Sequence, residues 1–297
     1  AKLGAVCNIF AAGTNGSALL DVSFDATDHL YFANYSGSFN WKLITTAVYR
    51  DPSAWMHLVV GCDTDQATNT NRVYIEVNGT RLLSTEYTTP TWPSSGFATG
   101  YVDGNYTHYI GSRPGTPEYS NMYLAETYFI SGQALTASAF TETDANGNLV
   151  PKAFAGTFGS RDSYENFNDP TSTTTIGYDV SGNANHWTTS GISVTAGVTN
   201  DSLVDVPTNY GDDTGVGGEV RGNYCTWNPI DKSTNVTLTN GNLEANYSGT
   251  TDLYSVCSTH SMLSGKWYAE FTAASLAGSS YPIVGIVTAR SYAGIAT

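Results

Sequence analysis

The sequence predicts an all-β protein: an antiparallel jelly-roll β-sandwich followed by a second, incomplete β-sandwich. Short runs that alternate apolar and polar residues recur along the 297-residue chain and are separated by clusters of Gly, Asn, Asp, Ser and Pro. This pattern is typical of antiparallel strands and their turns. The chain shows neither sustained 3.6-residue periodicity nor a fixed-length repeat, so long helices and solenoids are not expected.

The first sandwich is predicted over residues 1–158. ALLDVSFDATDHLYFANYSG gives two strands around a turn at residues 25–28, and WMHLVVGCDTD gives a buried strand. NRVYIEVNGTRLL alternates up to Asn78-Gly79. Asn-Gly between two strand-like runs predicts a tight hairpin, because both residues tolerate the positive φ that a type I′ turn requires.

The end of this sandwich is predicted from a loop, two strands and a corner. Residues 89–119 are rich in Pro, Gly and Ser and predict mostly loop, with a strand at THYIGS. YLAETYFI returns to strand alternation. A short turn of helix around residues 134–140 then leads to a chain reversal at Asn146-Gly147.

The rest of the chain divides into two predicted parts. Residues 159–221 have turn residues every few positions, which predicts a connector with short strands. Residues 222–297 start a second pattern of strands, in NVTLTNGNLEANYS and KWYAEFT. The chain begins with Ala1 and stops inside a strand-like run, so we expect a piece of a longer polypeptide.

The amino-acid composition argues against two classes of binding partner. The chain has 12 Lys+Arg against 26 Asp+Glu and a formal net charge of −14. Such a chain repels phosphate backbones and anionic lipid surfaces, which argues against nucleic acid and membrane as partners. No apolar run of transmembrane length and no signal-peptide pattern is found in the sequence. The four cysteines are too far apart for a Cys-x-x-Cys site, and free thiols and disulfides both remain open.

One stretch, AWMHLVVGCDTDQATNTNRVYIEVNGTRL, resembles the central strands of domains in the concanavalin A-like lectin/glucanase superfamily, in its laminin-G and pentraxin-like branch. HYIGS and YLAETYFISGQALTASAF look like the end of the same module, with Ser131 where the pattern commonly has Asp and Ala137 where it has Pro. The residues that carry the first match are Trp55, His57, Asp63, Tyr74, Val77, Asn78 and Gly79.

A broader resemblance covers most of the chain. The corner, together with ETDANGNLVPKAFAGTFGS, DVSGNANHWT, NDSLVDVPTNYG and GGEVRGNYCTWNP, resembles tail-fibre or virion-associated lectin-like proteins of marine bacteriophages. GNLEANYSG and SGKWYAEFT are similar to the opening strands of a SPRY-like domain. These likenesses imply a virion protein, and they rest on family pattern rather than on chemistry.

The sequence offers no catalytic constellation. It lacks a Gly-x-Ser-x-Gly elbow, and its five His share no signature. The Glu-x-Asp-x-Glu pattern of glucanases is missing, since Glu76 and Glu126 stand without an acidic partner on their strands. His57, between apolar residues, reads as a core histidine. A non-enzymatic protein is therefore predicted.

Calcium is the predicted cofactor. Hard cations bind carboxylate and amide oxygens on loops, and DTDQATNTN supplies Asp63, Asp65 and Asn69, with Asn71 close by. The resemblance to laminin-G and pentraxin proteins also implies calcium at a loop rim. The alternative is that Asp and Asn serve only as turn formers here.

A glycan site is predicted in the loop between residues 92 and 119. Sugar rings stack on aromatic side chains, and their hydroxyls bind Asp, Asn and backbone groups. Alternatively, these rings cap the sandwich or pack against neighbouring subunits. The predicted contact residues are Trp92, Tyr101, Asp103, Asn105, Tyr106 and Tyr119.

Together these observations predict a non-enzymatic component of a phage virion or tail fibre. Exposed on the virion surface, it would bind host surface polysaccharide, contact other virion proteins and form a homo-oligomer, whose repeated copies raise avidity. Two alternatives stay open: a purely structural virion protein without glycan binding, and a secreted bacterial adhesin.

Overall fold

The computed structural model of the protein divides into two compact units, Ala1–Tyr224 and Cys225–Thr297. The described residues are 3–15, 18–51, 55–100, 106–115, 119–144, 147–195, 201–202, 225–247, 254–260, 268–275 and 283–286. In these segments the regular structure of both units is β-strand, with short 3₁₀ helices in the first, which confirms the predicted all-β class. No helix in these segments is long and apolar enough to cross a membrane.

Twelve strands lie in the described segments of the first unit. They are β1 (Cys7–Asn15), β2 (Ala18–Phe24), β3 (His29–Ser36), β4 (Phe39–Val48), β5 (Leu58–Cys62), β6 (Val73–Val77), β7 (Thr80–Arg81), β8 (Thr107–Ile110), β9 (Thr127–Phe129), β10 (Thr141–Thr143), β11 (Leu149–Pro151) and β12 (Ser163–Glu165). Short 3₁₀ helices occupy Asn69–Asn71, Ser84–Glu86, Ala137–Ala139 and Thr175–Gly177.

Two antiparallel sheets enclose the main core. One has five strands in the order β4-β3-β2-β1-β8, and the other has three in the order β5-β6-β7. The core side chains come from β2, β3 and β4 on one side and from β6 and Tyr87 on the other. They are Val22, Leu30, Phe32, Trp41, Leu43, Val73, Ile75 and Tyr87. Burial of such large apolar side chains stabilises the fold by about 1.5–3 kcal/mol each.

Local turn chemistry explains the hairpins. Asn78 and Gly79 have φ of 48° and 80° between β6 and β7, as the type I′ prediction requires. In the predicted turn between β2 and β3, the Asp25 carboxylate accepts hydrogen bonds from the Thr27 and His29 backbone N–H groups. Both predicted turns are therefore confirmed.

The predicted strands at THYIGS and YLAETYFI are β8 and β9. The second is shorter than the alternation suggested, because Glu126 has φ of 52°, which interrupts the extended backbone. The predicted helical turn is the 3₁₀ helix Ala137–Ala139. The reversal after it joins β10 to β11, with Gly147 at φ 86°, whereas Asn146 lies outside the described residues.

The segment after residue 158 adds to the first unit. Strand β12 pairs antiparallel with β9, matching Tyr164 to Tyr128. Those two rings are stacked at 4.2 Å between centroids. The boundary between units follows Tyr224, close to the predicted start of the third part at residue 222.

The second unit contains two antiparallel strand pairs in its described residues. β13 (Trp227–Lys232) pairs with β16 (Val256–Ser258), and β14 (Val236–Thr239) pairs with β15 (Glu244–Tyr247). The second pair is the hairpin of NVTLTNGNLEANYS, with Asn240, Gly241 and Asn242 at positive φ. Of KWYAEFT, the residues from Tyr268 onward are described, and they lie outside any strand.

The four cysteines are free thiols in the structure. Cys7 is buried, whereas Cys62 is exposed; desolvation by its surroundings and, in addition, the neighbouring Asp63 charge raise the pKa of the Cys62 thiol. A thiol with a raised pKa is a poor nucleophile at neutral pH.

Candidate functional site

The outer face of the five-stranded sheet, turned away from the core, carries a groove. Direct cross-strand pairs align Lys42, Ala33, Asp21, Ala11 and Tyr109 in one row across all five strands. Because directly opposed residues project to the same face of a sheet, this row lies on the outer face, and its members Asp21 and Ala33 line the groove. The two alanines keep the middle of the row low, on either side of Asp21.

Larger side chains form the walls of the groove. Tyr31 stands on one side, while Leu19, Tyr35 and Phe39 stand on the other, and the volume of the open groove is about 220 Å³. The Tyr35 and Phe39 rings meet edge to face at 5.2 Å between centroids. Phe39 is 47% exposed, so its ring is accessible from solvent.

A charged pair lies within the groove. The Asp21 side chain is only 7% exposed, and its Oδ2 lies 3.7 Å from Nη1 of Arg113, which follows β8. Burial, together with the Asp21 charge, raises the pKa of Tyr31 to about 12, although Arg113 opposes the effect. Tyr31 therefore keeps its phenolic proton at neutral pH and can donate a hydrogen bond to a ligand.

The predicted glycan residues of the 92–119 loop occupy different settings. Trp92 is half-buried and packs against the hydrophobic core, Tyr106 is half-buried just before β8, and Tyr119 is 75% exposed. Tyr101, Asp103 and Asn105 lie outside the described residues. The loop nevertheless adjoins the groove, since β8 and Arg113 belong to the same stretch of chain.

The predicted calcium loop is held together by its own hydrogen bonds. The Asp63 carboxylate accepts the Asp65 backbone N–H at 3.2 Å and the Gln66 side-chain amide at 2.6 Å. Asn69 begins a 3₁₀ helix. The Arg72 guanidinium donates to the carbonyls of Gln66, Ala67 and Pro93. Over the described segments, no three or more His, Cys, Asp or Glu residues form a group that could hold a metal ion.

The contacts of His57 indicate a structural role. Its backbone N–H donates to Oδ1 of Asn78 at 2.9 Å, and its carbonyl accepts the Asn78 N–H at 2.9 Å. Burial lowers the pKa of its imidazole. These contacts hold the start of β5 against the Asn78-Gly79 turn.

The DVSGNANHWT motif forms a polar network around the buried Asp179. The Asp179 carboxylate accepts the backbone N–H groups of Tyr164, Ser181 and Asn185. The side-chain amides of Asn183 and Asn185 donate to the Asp162 carbonyl. The motif thus fixes the chain around β12, which gives it a structural reason independent of any ligand.

Next to this network lies Glu165, an acidic side chain that is completely buried. It lies beside Ser163 and Trp187, and the Trp187 indole donates to the Ser163 hydroxyl at 3.2 Å. Burial and, less strongly, the Asp179 charge raise the pKa of Glu165 to about 7, and neither of its buried carboxyl oxygens has a hydrogen-bond partner in the described part of the chain.

Sequence reasoning missed the groove. Asp21 reads as an ordinary solvated position on an alternating strand, and Arg113 sits in a loop far along the chain. A signal was present in the alternation, which sets Leu19 and Asp21 on one face of β2 and Tyr31, Ala33 and Tyr35 on one face of β3.

No protein-family model, curated protein or solved structure matches the chain. The function therefore has to be argued from the groove itself.

Proposed function

We propose that the protein is a non-enzymatic carbohydrate-binding component of a phage virion or tail fibre, which attaches to host surface polysaccharide through the groove. The supporting observation is the combination of exposed aromatic rings with a sunken polar floor. Phe39 and Tyr35 offer ring faces and edges to the apolar face of a sugar, while Asp21, Arg113 and Tyr31 offer hydrogen-bonding groups.

The shape of the groove favours a chain-like ligand. The residues that line it come from β2, β3 and β4, together with Arg113 after β8. Neighbouring strands lie about 4.8 Å apart, so three strands span about 10 Å, room for one or two sugar rings. A shallow, open groove of this kind suits many weak contacts along a polysaccharide.

The chemistry of the groove favours binding over hydrolysis. Glycoside hydrolysis uses two carboxyl groups across the scissile bond. Among the described residues that line the groove, Asp21 supplies one carboxylate, and Arg113 is paired with it. Binding without turnover is what an adhesion module requires.

Several copies of the groove can compensate for weak binding at each one. We propose that the module acts as a homo-oligomer on the virion surface, in contact with other virion proteins, so that several grooves bind one polysaccharide layer. Linked sites raise apparent affinity by about 10²- to 10⁴-fold when the geometry lets them bind together. Calcium at Asp63, Asp65 and Asn69 remains part of this proposal as a rigidifying ion away from the groove.

A glycan array with the whole chain tests the proposal. The wild-type protein is expected to bind a subset of glycans, and Phe39→Ala is expected to lose that binding. Tyr119→Ala is the matched control, since it removes another exposed aromatic ring, from the loop named by sequence. Loss of binding in Tyr119→Ala but not in Phe39→Ala would place the site in the loop instead.

A purely structural virion role is the second candidate. It is favoured by the exposed apolar side chains Ile283, Val284 and Ile286 of the second unit, a type of surface that commonly meets another protein. Absence of binding to every glycan on a multivalent array, with and without calcium, would support this role over attachment.

A further inference from the structure

Basic side chains are few in this protein, and two of them lie at the groove. The chain has 12 Lys+Arg and a formal net charge of −14. Lys42 on β4 is paired with the groove residue Ala33 and contacts the groove residue Phe39, and Arg113 lines the groove beside Asp21. The groove therefore differs in charge from the chain as a whole.

The charges at the groove leave one positive group in excess. Arg113 is balanced by Asp21, 3.7 Å away. The Lys42 ammonium lies 4.9 Å from the centre of the Phe39 ring, in a cation–π contact. Arg50–Asp28 and Arg113–Asp21 are the ion pairs found in the described part of the chain, and neither includes Lys42.

From this arrangement we infer that the groove selects an anionic glycan, one whose sugars carry carboxylate or sulfate groups. The inference rests on the proposed function and specifies its ligand class. The apolar face of a sugar contacts Phe39 and Tyr35, and its acidic group binds the Lys42 ammonium. The Arg113 guanidinium adds planar donors that suit carboxylate and sulfate oxygens.

The negative charge of the whole chain does not oppose this contact at physiological salt. Screening reduces interactions between exposed charges beyond about 8 Å at 0.15 M ionic strength. Charges elsewhere on the protein then act weakly on a sugar in the groove. The nearby charges dominate: the Arg113–Asp21 pair, which is balanced, and the Lys42 ammonium. The relevant affinities are therefore those measured at 0.15 M salt or above.

Calorimetric titration with three oligosaccharides of equal length tests the inference: a polyuronate, a sulfated dextran and neutral dextran. At least one anionic oligosaccharide is expected to bind about tenfold more tightly than neutral dextran, and to weaken between 0.15 and 0.5 M salt. Lys42→Gln is expected to lower that affinity about three- to fivefold, as for one partly exposed charge pair. Lys152→Gln, which removes the same charge near β11, is the control and should leave affinity unchanged.

The outcomes separate the two proposals. A preference for the uronate or for the sulfated dextran supports the inference and identifies the acidic group. Equal or tighter binding of neutral dextran, with no effect of Lys42→Gln, overturns the anionic preference and leaves glycan binding standing. Failure to bind these oligosaccharides and every glycan on the array overturns the proposed function itself.

Discussion

The Glu76 carboxylate accepts a 2.7 Å hydrogen bond from the backbone N–H of Ala137, 61 residues further along the chain. On the same face of β6, the Tyr74 hydroxyl donates to the Leu135 carbonyl at 2.7 Å. Two side chains of one strand thus hold the corner between β9 and β10. The corner covers the face of β6 opposite the core, and this explains why Tyr74 and Glu76 are buried.

Glu76→Ala should destabilise the first unit. It leaves the buried Ala137 N–H without its acceptor, at a cost of about 1–3 kcal/mol. Glu76→Gln keeps an acceptor oxygen and should cost much less. Chemical denaturation of both variants measures the difference. Equal losses for Ala and Gln would show that the hydrogen bond is not what stabilises the corner.

Gly61→Ala should also be destabilising. A Cβ at this position would lie 2.1 Å from the Tyr74 ring, and that ring is held by the Leu135 hydrogen bond and by the Arg81 guanidinium 3.8 Å away. Overpacking of this kind typically costs about 1–3 kcal/mol. Adding Tyr74→Leu should recover part of the loss in thermal unfolding. Strictly additive effects of the two substitutions would contradict the clash.

Asp162→Ala should release the corner from the chain near β12. The Asp162 carboxylate is fully buried and accepts the Ser131 backbone N–H and hydroxyl, as well as the Gly159 N–H. Losing this acceptor leaves three partly buried donors without their partner and should cost about 2–3 kcal/mol. Ser131→Ala removes one of the three bonds and should cost about 1 kcal/mol. A Ser131→Ala loss as large as that of Asp162→Ala would argue against this ranking.

Glu165 should make stability fall as pH rises. Its folded-state pKa of about 7 lies above the ordinary value of 4.5, so the native state binds the proton more tightly than the unfolded state. The stabilisation is complete below about pH 4.5 and is lost as pH rises through 7. Relative to wild type, Glu165→Gln should gain stability on the order of 2 kcal/mol between pH 5 and 8.5, measured by urea denaturation. Parallel pH profiles for the two proteins would rule this out.

Local features of the fold were predictable from the sequence. Asn78-Gly79 needs only two adjacent residues to specify a hairpin, and the alternation of Val73, Ile75 and Val77 indicates which face of β6 meets the core. The all-β class follows from many such short-range signals. None of them depends on contacts between distant parts of the chain.

The groove, in contrast, depends on contacts between residues that are far apart in the sequence. Arg113 reaches Asp21 because β8 pairs with β1, which brings together residues about a hundred positions apart. Phe39 stands beside Tyr35 because the pairing of β3 with β4 shifts register between Asn34 and Tyr35. Single-strand patterns contain neither piece of information.

The core position of Trp92 likewise depends on a long-range contact that the sequence does not reveal. The aromatic-rich loop around it suggested a sugar-binding surface. In the structure, the backbone of Thr91 pairs with that of Lys42, and Trp92 packs against the core. The long-range bridge from Thr91 to β4 cannot be seen in the loop's composition.

A titration followed by NMR tests the central claim most directly. Labelled protein is titrated with the tightest-binding glycan found on the array, and amide shift changes are mapped along the chain. Glycan binding in the groove predicts the largest changes at Asp21, Ala33 and Tyr35 on β2 and β3. Changes confined to residues 63–71, or to the surroundings of Tyr119, with β2 and β3 unaffected, would contradict it.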